Sequence, residues 1–174
     1  MKYYYQYGLL DNQKKLAEHL IIMAIKIFLS DVDGVLTDGG MYYTESGDEF
    51  KKFNCYDGMG MKLLQAKGFK VGILTSEDRM INRNRARKLK LDYDFHGVKD
   101  KLQFIKDFCT KENINISEIA YVGDDLNCFS LLSEVGVCAC PKNAVAKIKS
   151  IPDIIKLNSR GGEGAFREFA DLYL

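Results

Sequence analysis

From Ile25 onward the chain alternates short apolar runs with longer stretches whose apolar residues recur at helical spacing, and no Pro-rich or Ser-rich linker interrupts them. The short runs predict strands at Ile25–Ser30, Phe69–Thr75, Tyr93–Phe95, Ile119–Gly123 and Gly136–Ala139, with a shorter one at Ile154–Leu157. The stretches between them predict helices at Asp57–Lys67, Asp78–Lys90, Lys99–Glu112, Leu126–Val135, Ala144–Ser150 and Gly164–Leu172. Strand and helix in alternation imply an α/β domain with a central parallel sheet flanked by helices. The exception is Met41–Phe53, where MYYTESGDEFKKF reads as a β-hairpin turning at Ser46-Gly47-Asp48.

A length of 174 residues fits one such domain, spanning residues 25–174, with an extension at 1–24 in front of it. That extension is tyrosine-rich at MKYYYQYG and then carries Leu and Ile at helical spacing over Leu9–Ile22. It reads either as an added amphipathic helix or as a leader ahead of a translational start at Met23.

Composition narrows the partners. Lys and Arg number 25 against 24 Asp and Glu, a net charge of +1, so no broad field recruits nucleic acid or an anionic membrane. The basic run Arg79–Lys90 has no interleaved aromatic residues for stacking bases and reads as a solvated helix face. Five cysteines without a CxxC pair argue against a disulfide scaffold or a zinc knuckle. His19 and His96 stand alone, without metal-ligand spacing. The longest apolar run, which begins at Leu20 and ends before Lys26, is far short of the ~20 residues of a membrane span, and no export leader is laid out. The expectation is a soluble, cytoplasmic protein whose ligand is held by a local site.

The candidate chemistry starts in IFLSDVDGVLTDGG, which places Asp31, Asp33 and Asp38 directly after an apolar strand. Carboxylates two apart on extended backbone project to one side, so Asp31 and Asp33 share a small volume. At about 4 Å and an effective dielectric of about 20 they repel by about 4 kcal/mol, which calls for a cation nearby. Thr75 ends a second strand with a hydroxyl, and Val122-Gly123-Asp124-Asp125 ends a later one with two more carboxylates. Ligands of open α/β sheets bind at the carboxyl ends of strands, so these groups converge on one rim. Lys101, in the first turn of its predicted helix, supplies positive charge. Singly, Thr75 reads as a strand-end hydroxyl and Lys101 as a solvated lysine; the ordered set carries the weight.

DVDGVLTD, the strand-terminal Thr75, Lys101 and GDDLN resemble, in order, the four motifs of the haloacid dehalogenase superfamily of phosphohydrolases, over nearly all of Ile25–Leu174. More narrowly, DVDGVLTDGG, the hairpin with KKFNCYDGMGMKLL after it, the VKDKL element and the tail RGGEGAFREF resemble the cap-less subgroup. Its members dephosphorylate 3-deoxy-2-ketosugar acids such as octulosonate 8-phosphate and nonulosonate 9-phosphates. The resemblance implies a Rossmann-like fold with a hairpin insertion and no cap. It also implies that Asp31 is the nucleophile forming an aspartyl-phosphate and Asp33 the general acid and base. Asp31, the Asp33 carbonyl and Asp124 would bind Mg²⁺ with Asp125 close by, and Thr75 and Lys101 would hold phosphate oxygens. The implied assembly is a homotetramer whose hairpin and glycine-rich tail help to close a neighbour's site.

The chain departs from the family's GDDxND pattern at Cys128, where a carboxylate is usual, which implies altered metal affinity. Cys128 itself reads as a buried helix residue. Arg160, in a flexible Gly-rich segment, could pair with the carboxylate of a sugar acid. At Tyr56 and Glu77 the octulosonate-type members tend to carry basic residues, so Thr-x-Glu leans toward a 9-phosphate substrate. The competing reading is a non-catalytic, phosphatase-like oligomerisation module of the kind joined to animal sialate cytidylyltransferases; a two-component receiver has its acids in the wrong chain order.

Overall fold

In a computed structural model, residues 24–174 are described; the extension read for residues 1–24 lies outside them except at Ala24. The chain runs β1 (Ile27–Ser30), β2 (Tyr42–Tyr43), β3 (Glu49–Phe50), α1 (Cys55–Ala66), β4 (Lys70–Leu74), α2 (Met80–Leu89) and β5 (Tyr93–Phe95). It continues through α3 (Lys101–Glu112), β6 (Ile119–Val122), α4 (Phe129–Leu132), β7 (Val137–Cys140), α5 (Ala146–Lys149), β8 (Ile155–Lys156) and α6 (Ala165–Asp171). Six strands form one parallel sheet in the order β5-β4-β1-β6-β7-β8.

β1 lies in the interior of the sheet because all four of its residues, Ile-Phe-Leu-Ser, are buried, as a parallel strand covered on both faces requires. Its alternate side chains feed two cores. Phe28 packs with Met61, Leu64, Phe166 and Phe169 on the α1 and α6 side. Ile27 and Leu29 pack with Ile105, Cys109 and Leu131 on the α3 and α4 side. Because β1 is clamped from both faces and paired with β4 and β6, the loop that leaves its carboxyl end has a rigid base.

The hairpin forms, with a ladder of only two pairs, Tyr42 opposite Phe50 and Tyr43 opposite Glu49. A bridge between Thr37 and Phe53 ties its base to the loop after β1. Between β1 and β4 there is room for this hairpin and α1 alone, so no cap domain is inserted there.

Several expected elements are shorter. The helix expected over Leu126–Val135 is a 3-10 turn at Leu126–Cys128 followed by the single-turn α4. Its start is tightened because the Asp125 side chain accepts from the Leu126 N–H and the Cys128 N–H reaches back only three residues to the Asp125 carbonyl. The helix expected at Ala144–Ser150 shrinks to Ala146–Lys149, and the last strand to two residues at the sheet edge.

The segment Arg160–Gly164 corrects a further expectation, since it is fixed rather than flexible. Gly161 N–H donates to Asn143 Oδ1 at 2.6 Å, Asn143 Nδ2 donates to the Gly34 carbonyl at 2.9 Å, and Gly162 N–H donates to the Val35 carbonyl at 3.0 Å. A Cβ at Gly161 would stand 1.9 Å from the Gly34 carbonyl oxygen, so only glycine allows the tail to lie against the loop after β1. Among the described residues no helix is long and apolar enough to cross a membrane.

Candidate active site

The carboxyl ends of β1, β4 and β6 open into a cavity of about 500 Å³ lined by Asp31, Asp33, Gly34, Thr75, Glu77 and Asp124, with Asp125 and Asn127 also on its wall. Asp31 is the first residue past β1, and its N–H continues the ladder to the Val122 carbonyl at 2.9 Å. That bond fixes the backbone from which the carboxylate projects. Val32 N–H donates to Asp31 Oδ1 at 2.8 Å, and Lys101 Nζ donates to Oδ2 at 2.7 Å.

Lys101 is the first residue of α3, set by the Asp100 side chain, which caps the helix by accepting from the Gln103 N–H. Its ammonium is almost wholly buried, with Tyr121 Oη at 3.1 Å and Cys128 Sγ at 3.3 Å. Burial, the largest single influence, works to depress this ammonium, yet the adjacent Asp31 carboxylate and Cys128 sulfur together outweigh it and hold its pKa above the ordinary lysine value. Lys101 therefore stands behind the Asp31 carboxylate and neutralises it, rather than forming the cavity wall.

Asp33 turns toward the hairpin. Lys51, one residue past β3, donates to Asp33 Oδ1 at 2.7 Å and Oδ2 at 2.8 Å, and to Glu77 Oε2 at 2.6 Å, with its own side chain only 4% exposed. Burial raises the Asp33 carboxyl and Lys51 pulls it the other way. The hydrogen bond from Lys51 holds Glu77 below its ordinary value. Lys51 was not singled out in the sequence, although strand parity contained the signal. Lys51 and Phe53 share the inward side of the return strand, while Lys52 points out with its side chain 59% exposed.

Thr75 is buried at the end of β4, and its hydroxyl accepts from the Glu77 N–H at 3.2 Å, which shapes the turn that carries Glu77 into the cavity. The remaining expected groups divide. Asp125 and Glu77 line the cavity, whereas Arg160 is exposed and does not. Asp38, third acid of the first motif, instead anchors the hairpin by accepting from Tyr42 Oη at 2.6 Å.

Burial together with the Asp31 and Asp125 charges pushes the Asp124 carboxyl up to about 7. Gly34, at φ 81°, admits it: a Cβ there would lie 1.9 Å from Asp124 Oδ2. Two carboxylates face each other with the Lys101 ammonium committed to Asp31, an arrangement that fits a hard divalent cation. Cys128, expected as a buried helix residue, is buried but faces this cluster, 2.9 Å from Asp31 Oδ2. Burial and the Asp31 charge push its thiol up to about 12.

A family model described as haloacid dehalogenase-like hydrolase matches residues 95–164. The 3-deoxy-D-manno-octulosonate 8-phosphate phosphatase of Haemophilus influenzae is 33% identical over 150 residues, covering 86% of this chain and 83% of its own length. The chain belongs to this family and is a phosphatase. The family fold is equally plain in solved structures. The Moraxella catarrhalis octulosonate phosphatase, in complex with magnesium, phosphate and the sugar acid, is 32% identical with a TM-score of 0.84, over 89% of this chain and 88% of that one. The cobalt-bound Haemophilus influenzae enzyme is 32% identical with a TM-score of 0.82, over 88% of this chain and 90% of that one.

Proposed function

We propose that this phosphatase removes the terminal phosphate from a 3-deoxy-2-ketosugar acid phosphate through an aspartyl-phosphate on Asp31. The observation that carries the proposal is the Asp31 carboxylate, anchored to β6 through its backbone, backed by the buried Lys101 and opening onto a cavity that also holds Asp33. A phosphate dianion approaching this carboxylate meets charge already partly cancelled by Lys101. Asp33, two residues on, protonates the departing sugar oxygen and then takes a proton from the water that attacks the phosphoenzyme. The Thr75 hydroxyl and the backbone N–H groups of the loop after β1 orient the phosphate oxygens. Asp31, Asp124 and the Asp33 carbonyl would hold Mg²⁺, which when bound offsets the charge gathered between nucleophile and phosphate.

The sugar acid named for the Haemophilus influenzae relative is octulosonate 8-phosphate, which supports that substrate. Glu77 on the cavity wall favours a nonulosonate 9-phosphate such as deoxynonulosonate or N-acylneuraminate 9-phosphate. The cavity is open on the single chain, and the exposed Met41, Tyr42, Tyr43 and Phe50 of the hairpin support a homotetramer in which a neighbour completes the site, with Arg160 reaching the sugar carboxylate there. The domain is proposed to be residues 25–174, working in the cytoplasm.

The test is Mg²⁺-dependent phosphate release from octulosonate 8-phosphate, the two nonulosonate 9-phosphates and simple hexose phosphates, with Asp31→Asn as control. Asp31-dependent release from one ketosugar acid is expected. Absence of release from all of them would favour the non-catalytic assembly module.

A further inference from the structure

The cation cluster of this chain contains a sulfur atom. One carboxylate oxygen from each of Asp31 and Asp124 and the Sγ of Cys128 all lie within 4.8 Å of one another. That spacing lets a single ion reach all three with small side-chain rotations, at ordinary oxygen and sulfur bond lengths of about 2.0–2.3 Å. The sulfur is held there by its surroundings. Cys128 is fully buried, with Sγ 2.9 Å from Asp31 Oδ2 and 3.2 Å from Tyr121 Oη. Gly123, at the end of β6, leaves its space: a Cβ there would come within 2.6 Å of the Cys128 Cβ and 2.8 Å of Sγ.

Donor chemistry then separates the ions. Mg²⁺ is hard, takes oxygen ligands and gains nothing from a thiol. Zn²⁺ and Co²⁺ accept carboxylate oxygen and bind thiolate sulfur well. We propose that Cys128 is a metal ligand of this site, so that Zn²⁺ or Co²⁺ binds through Asp31, Asp124 and the Cys128 sulfur while Mg²⁺ competes for the same place with the carboxylates alone. As the sulfur–metal bond forms, the thiol proton leaves to solvent and the Cys128 hydrogen bond to Asp31 is given up. Lys101 keeps its own bond to Asp31, so the loaded site stays anchored to α3. The proposal rests on the phosphatase reading only for the location of the cation.

Cobalt serves as the probe because thiolate coordination gives it an intense sulfur-to-cobalt charge-transfer band in the near ultraviolet. Co²⁺ titrated into the full chain without substrate is expected to produce that band at one equivalent. Cys128→Ser should lose it. Cys128→Asp should bind Co²⁺ without it, hold Zn²⁺ at least about tenfold more weakly, and hold Mg²⁺ more tightly. X-ray absorption of the cobalt-loaded wild type, which requires no variant to fold, should show one sulfur neighbour at about 2.3 Å. An all-oxygen shell, or a band that survives in Cys128→Ser, would overturn the proposal. Phosphate release with Mg²⁺ is scored separately: release alongside an all-oxygen cobalt shell removes the sulfur ligand alone, and a sulfur-bound cobalt in a protein that releases no phosphate removes the substrate reading alone.

Discussion

Lys51 Nζ grips both oxygens of the Asp33 carboxylate, at 2.7 and 2.8 Å, and so ties the proposed general acid and base to a hairpin 18 residues further along the chain. Lys51→Met is therefore expected to leave Asp33 harder to ionise, because burial raises that carboxyl and the opposing cation is gone. Protonation of the leaving oxygen would survive better than activation of water, which needs the ionised form. Steady-state turnover is expected to fall by about 10²-fold, and rapid-quench kinetics should show a burst of released sugar followed by slow dephosphorylation. A uniform slowing without a burst would remove Lys51 from this role.

Lys101 is expected to matter for folding as well as rate. Its ammonium and the Asp31 carboxylate form a buried pair, and Lys101→Met leaves a buried anion without its partner. Losses of this kind cost about 3–5 kcal/mol, read as a lowered urea midpoint, together with loss of phosphate release. Asp31→Asn should abolish turnover with a smaller stability loss, since the amide oxygen still accepts from Lys101. An unchanged urea midpoint in Lys101→Met would mean that the charge pair contributes little.

The sheet, the hairpin and the convergence of Asp31, Asp33, Thr75 and Asp124 were legible because each rests on a local rule: apolar runs make buried strands, and acids at strand ends face one rim. What escaped depended on contacts distant in sequence. Lys51 and Glu77 are 26 residues apart and meet only because the fold brings the end of the hairpin to the turn that follows β4. Cys128 looked like core because burial alone describes it; its place beside Asp31, 97 residues away, is set by the packing of β6 against β1. The glycines of the tail suggested flexibility, whereas they are there to allow backbone to touch backbone.

Gly161 makes that last point testable. A methyl group at this position meets the Gly34 carbonyl oxygen at 1.9 Å and forces the tail away from the loop that carries Asp31 and Asp33. Displacements of about 1 Å in a catalytic loop cost roughly 10²-fold in rate. Gly161→Ala is expected to lose about that much turnover while the sheet, whose core lies elsewhere, keeps its circular dichroism. Near-normal turnover would show that the loop after β1 holds its geometry without the tail.

Asp57, outside the site, is expected to set part of the pH dependence of stability. Its carboxylate accepts from the Arg167 N–H at the start of α6 at 3.0 Å, while its other oxygen is buried without a partner. Burial, against the helix N–H groups that favour the anion, pushes its carboxyl from 3.8 up to about 6. A carboxyl that is raised on folding binds its proton more tightly in the folded state. Its contribution is therefore fully present below about 3.8 and lost as the pH climbs through about 6. Asp57→Asn has no such proton to lose and retains an acceptor for the Arg167 N–H. Urea denaturation at a series of pH values should thus show the stability of wild type relative to Asp57→Asn declining between pH 4 and pH 6 and level above that window. A difference that does not change with pH would show that Asp57 titrates alike in the folded and unfolded chains, its burial offset by the N-terminal dipole of α6.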